Sequence, residues 1–144
     1  MTSFIDSDER PLTGSCQCGA VRYRIDAEPI AFFACHCSEC RKQSGSVHGL
    51  SLIVPTEAFK ITAGTPSKWS RPTDQGAAMN CWFCGTCGNR LYHQSSSWPN
   101  ELSVKAGTLD QPVNVTRAVP IWTDKALPSV TFADGQVHIA REPD

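Results

Sequence analysis

Eight cysteines in this chain of 144 residues are the side chains best suited to do chemistry. They fall into three knots: Cys16-x-Cys18, Cys35-x-Cys37-x-x-Cys40 and Cys81-x-x-Cys84-x-x-Cys87. Cysteines two or three residues apart rarely bridge each other, whereas thiolates converging on one cation use that spacing. The first residues, MTSFIDSDERP, are polar and acidic and hold no apolar segment of the signal-peptide type. The chain is therefore expected in the reducing cytoplasm, where thiols persist unless a metal or a reaction uses them. Inert buried cysteines would instead be scattered singly along strands.

Each knot suggests a different role. Cys16 and Cys18, two apart on a strand, would share one face. Cys84-Gly-Thr-Cys87-Gly88 is a tight turn whose backbone N–H groups can donate to sulfur. Together the two pairs supply four thiolates, the closed tetrahedral set of a structural zinc. Cys81 lies three residues before Cys84, on the opposite face if the segment is a strand, and reads as packing. The alternative, three cysteines of an iron–sulfur cluster, lacks the Cys-Pro that would complete it. Cys35, Cys37 and Cys40 can wrap one metal from a single loop and leave a place open for water or substrate. The other reading closes that place with His36, His48 or His93, although alternation turns His36 away. Arg41 and Lys42 follow the trio and either offset its negative charge, attracting an anionic ligand, or form a solvated turn.

The surrounding elements must hold these knots. Residues 20–26 alternate, with Val21, Tyr23 and Ile25 on one face and Arg22, Arg24 and Asp26 on the other. Further strands are expected at 30–35, 48–54, 58–62, 67–71, 79–84, 90–93, 102–106 and 115–122. Asp134-Gly135 between apolar runs predicts a hairpin over 130–139. Only 37–43 has room for a turn or two of helix. Residues 1–13 read as a flexible N-terminal arm, and 14–144 as one mainly antiparallel all-β domain. The formal net charge of -1 disfavours nucleic acid, and no apolar run approaches a membrane span.

Four segments together resemble the glutathione-dependent formaldehyde-activating enzyme family, whose relatives include centromere protein V. They are 14–23 (GSCQCGAVRY), 35–45 (CHCSECRKQSG), 83–92 (FCGTCGNRLY) and 102–109 (LSVKAGTL). The resemblance implies a β-tent-like zinc-binding fold with short helical turns. It implies a structural zinc on Cys16, Cys18, Cys84 and Cys87 and a catalytic zinc on Cys35, Cys37 and Cys40. The implied activity is that of a carbon–sulfur lyase, forming S-hydroxymethylglutathione from glutathione and formaldehyde or making a related thiol adduct. Arg41 and Lys42 would then meet the thiol's carboxylates, with Ser44 or Ser46 hydrogen-bonding them. His48 and His93 are the candidate bases on chemistry alone. The chain departs from the family where Pro120 stands before Ile121-Trp122, a place many members give to His. A reading from another class is a non-enzymatic zinc-binding module, with two structural metals and a protein partner.

Overall fold

The computed structural model describes residues 3–143. Along the chain run β1 (Leu12–Ser15), β2 (Arg22–Ile25), β3 (Ala31–Cys35), helix α1 (Ser38–Ser44), β4 (Gly49–Pro55) and β5 (Phe59–Ala63). There follow β6 (Ser67–Pro72), β7 (Ala78–Phe83), β8 (Arg90–Ser95), β9 (Glu101–Lys105) and β10 (Val119–Ile121), joined by short 3-10 turns. β1, β2 and β5 form a small antiparallel sheet. The other seven form a second sheet in the order β10-β3-β4-β9-β8-β7-β6, antiparallel except where β10 lies parallel to β3.

Alternation decides what each face carries. Tyr23 and Ile25 of β2 are buried, and Arg22 and Arg24 face outward, as the sequence period requires. The small sheet covers one face of the large one, burying Leu12, Tyr23, Ile25, Phe32, Leu52, Val54 and Val104 in one core. An aromatic column links the layers: Tyr23 on Phe59 at 5.1 Å, Phe59 on Tyr92 at 4.6 Å, and Tyr92 on Trp82 at 4.7 Å.

The opposite face of the large sheet is polar. Direct pairing places Ser103, His93, Cys81 and Trp69 in one row across β9, β8, β7 and β6. Cys35 and Lys105 share that face, because they alternate with the core residues Ala34 and Val104. Cys81 is 1% exposed and holds no place in either cysteine cluster, which fits its reading as packing.

Two expectations give way. From Ser3 onward the N-terminal segment is docked, not loose; Met1 and Thr2 lie outside the described residues. Ile5 is buried, the Asp6 amide donates to Pro112, the Asn114 amide donates to Phe4, and Leu12 already opens β1. Its anchors are spaced singly and so leave no periodic trace. The 130–139 hairpin is also absent. Asp134-Gly135 does make a turn, closed by the Gln136 amide on Ala133, but its flanks do not pair as strands. Ile139 donates instead to Pro120, and Trp122 to Arg141.

Gly14 marks where the small sheet meets the loop after β9. A Cβ there would overlap the Tyr23 ring and the Thr108 carbonyl. Gly14→Ala is expected to destabilise the fold by about 2–3 kcal/mol, read as a lower thermal midpoint. An unchanged midpoint would contradict this close approach.

Candidate metal centres

The first cluster joins the turn after β1 to the turn between β7 and β8. Cys16 follows β1, and Cys18-Gly19 lies in a turn rather than on a strand, so the same-face argument for this pair does not hold. The turn does the work instead. The Gly19 amide donates to the Cys16 carbonyl, and the Val21 amide to Cys16 Sγ at 3.3 Å. The second turn repeats the device: the Gly88 amide donates to the Cys84 carbonyl, and the amides of Thr86 and Cys87 to Cys84 Sγ. Gly19 and Gly88 both have φ of +79°, a backbone that favours glycine. Asn89 ties the turns together, accepting from the Gln17 amide at 2.8 Å.

The four sulfurs lie within 4.8 Å of one another, with Cys16–Cys18 and Cys18–Cys84 both at 3.7 Å. Sulfurs placed tetrahedrally around a zinc are separated by about 3.8 Å. The donor set therefore fits a closed four-thiolate metal site. Burial opposes ionisation of Cys16, but the Val21 amide and the neighbouring sulfurs outweigh it and bring the thiol down to about 6.

The second cluster is built by a strand running into a helix. Cys35 ends β3, Cys37 caps α1, and Cys40 lies on the helix's buried face. Cys37 Sγ accepts from the Cys40 amide at 3.3 Å, so the cap also fixes a sulfur. The helix comes close enough to β4 that a Cβ on Gly49 would sit 3.2 Å from Cys40 Cβ. The three sulfurs lie within 4.8 Å of one another, and among the described residues no His, Asp or Glu joins them. Such crowding forbids three free thiolates. Cys35 and Cys40, with nearby amides, hold Cys37 far below the usual thiol range. The sulfurs of Cys37 and Cys40, followed by burial, push Cys35 far above it. A cation would remove that conflict, so this donor set also fits a metal, with one position left over.

The flanking candidates are spread apart. Arg41 is half-buried, and Lys42, Ser44 and Ser46 are exposed on α1 and its exit. Ser44 Oγ is already engaged, donating toward the carbonyls of Arg41 and His48. His36 and His48 lie behind the trio, their rings 5.0 Å apart. They line a cavity of about 390 Å³ that also holds Pro120 and Phe132. His93 is on the trio's face, its Nδ1 2.8 Å from Lys105 Nζ. Burial, then the charges of Lys105 and Arg71, keep its ring neutral far below the usual range. An ammonium only donates, so Lys105 in that form leaves the His93 proton on Nε2.

The sequence reading missed Lys105, Arg71 and Arg90. Alternation within 102–109 could have placed Lys105 opposite Leu102 and Val104. Arg71 is brought to α1 by tertiary packing, where its Nε stands 3.2 Å from a Glu39 oxygen. Arg90 lies over the rings of Trp69 and Phe83 at 5.5 and 5.8 Å.

Fold and site define a class: a two-layer β protein with one closed and one three-membered cysteine cluster, each able to hold a metal ion. Within it, the chain belongs to the glutathione-dependent formaldehyde-activating enzyme family, which it matches over residues 11–125. A Halomonas elongata protein named "Putative glutathione-dependent formaldehyde-activating enzyme" is 28% identical over 103 residues, 69% of this chain and 66% of that protein. An Emericella nidulans protein of the same name is 33% identical over 79 residues, covering 54% of this chain and 39% of its own. The chain thus spans less than two thirds of these relatives. A crystal structure of a Rhodobacter sphaeroides protein covers 88% of this chain and 98% of its own, with a TM-score of 0.56 at 23% identity. That likeness shows the fold.

Proposed function

We propose that the chain binds two zinc ions, structural and catalytic, and joins a thiol such as glutathione to formaldehyde in the reducing cytoplasm. The observation that carries this reading is the contrast between the clusters. Four sulfurs close the first, whereas three converge at the second with no fourth donor among the described residues. Cys35, Cys37 and Cys40 would hold the zinc, which would supply a Lewis acid able to lower a thiol's pKa from about 8.5 and favour thiolate at neutral pH.

The chain's own residues do the positioning. Phe33, Ile121, Trp122 and Ile139 pack against the trio and keep water from that side. Lys105 shares a sheet face with Cys35 and would offset the negative charge of the trio. Arg41 and Lys42 are proposed contacts for one end of an acidic thiol, with Ser46 beside them; Ser44 serves chiefly to close the helix. In the addition, sulfur bonds to the aldehyde carbon, the carbonyl π bond breaks, and the thiol proton ends on the new hydroxyl oxygen. Holding both reactants in one site replaces a bimolecular encounter with a local one. His93, with its proton on Nε2, offers a donor toward the forming hydroxyl rather than a base.

Exchange NMR of formaldehyde and glutathione with their adduct tests the reading. Catalytic amounts of protein are expected to raise the exchange rate at least about tenfold. Unchanged exchange with glutathione and a panel of other thiols would favour the non-enzymatic module.

A further inference from the structure

The polar face beside the cysteine trio carries more cation than its own carboxylates can neutralise. Arg71 Nε faces a Glu39 oxygen across 3.2 Å, an ion pair between β6 and α1. Lys105 Nζ stands 2.8 Å from the His93 ring, and no carboxylate lies within ion-pair distance of it among the described residues. For Arg90, no carboxylate lies within ion-pair distance among the described residues. Its Nη1 is buried with no hydrogen-bond partner, and so is Ser103 Oγ on the neighbouring strand β9. Arg71 Nε is also unpartnered in this sense, because Glu39 is near but poorly aligned.

Natural proteins rarely leave a buried guanidinium N–H without an acceptor. Here the guanidinium is also pre-set. Trp69 and Phe83 hold it by ring contacts, so its flat fork is fixed before any ligand arrives. A fixed fork with free donors suits a carboxylate, which accepts two parallel hydrogen bonds from it. Arg90 lies over Trp69, which shares one row with Cys81, His93 and Ser103, and Lys105 Nζ stands 2.8 Å from His93, so these side chains share one face. Cys35 shares that sheet face with Lys105, so the patch adjoins the trio.

We propose that Arg90, assisted by Ser103 and Lys105, is a carboxylate subsite on this face, taking a free carboxylate of the thiol proposed above while its sulfur sits at the trio. This assignment rests on the trio being where the thiol reacts. It makes the site prefer a ligand with a free carboxylate over the same ligand esterified.

The test uses the full chain loaded with zinc and S-methylglutathione, which keeps both carboxylates but has no free thiol. Calorimetry compares it with its diethyl ester on wild type, Arg90→Gln and Ser103→Ala. The subsite predicts that esterification weakens binding to wild type about 10- to 100-fold. Arg90→Gln should weaken the acid by a similar factor and leave the ester unchanged, whereas Ser103→Ala should have a smaller effect of the same kind. Equal affinity of wild type for acid and ester, or no binding of either, overturns the subsite. That comparison needs no variant to fold. Equal losses for acid and ester in a folded Arg90→Gln overturn it as well. Exchange NMR separates the two readings. Acid-selective, Arg90-dependent binding without accelerated exchange keeps the subsite and removes the enzyme. Accelerated exchange without acid selectivity does the reverse.

Discussion

Cys87→Ser is expected to destabilise the whole domain by several kcal/mol, lowering its thermal midpoint by about 10 °C or more. The size of that effect is what identifies its cause. Cys87 is exposed, so its thiol contributes little packing. An exposed Cys→Ser change with no other role falls within about 0.5 kcal/mol. On the proposed division, however, Cys87 supplies one of four thiolates in a cluster that joins the turn after β1 to the turn after β7. Metal binding at such a site is coupled to folding, so losing a ligand weakens the entire junction. The buried partners Cys16 and Cys84 would give less clean results, because their substitution also disturbs the core. A Cys87→Ser protein that melts like wild type would remove the first cluster from its structural role.

Cys37→Ser is expected to give the opposite pattern, with accelerated exchange lost and the fold retained. Cys37 is the N-cap of α1 and accepts from the Cys40 amide. Serine is among the best residues at that position, so the helix start should survive with a stability change under about 1 kcal/mol. One of only three converging sulfurs is gone, and a hard hydroxyl replaces a soft thiolate. Protein-dependent exchange should therefore fall by about 100-fold or more, toward the rate without protein. Equal melting of Cys37→Ser and Cys87→Ser would show that the two clusters share one role.

Much of this was legible because it is local. Cys-x-Cys and Cys-x-x-Cys, with a glycine after each pair in the first cluster, report local geometry within a few residues, and both clusters assemble from them. The β2 alternation around Tyr23 and the short helix after Cys37 were readable for the same reason. Long-range register was not. Arg71 meets Glu39 across 32 residues of sequence, and Arg90 meets Trp69 only through the pairing of β6, β7 and β8. The expected hairpin around Asp134-Gly135 fails on similar grounds: its turn forms, but β10 and the segment after it win the backbone of Ile139 and Arg141. The N-terminal segment likewise follows Phe4, Ile5 and Leu12 into the core, three single anchors with no repeating pattern.

The central claim is that one cluster holds the fold together and the other is open for chemistry. A chelator titration, read at once by a colorimetric zinc indicator and by circular dichroism, tests it most directly. Two zinc ions per chain are expected. One should leave at low chelator concentration, abolishing accelerated exchange while the β signal persists, and the second should leave only as the β signal collapses. Two equally inert ions, or two that leave together with the fold, would contradict it.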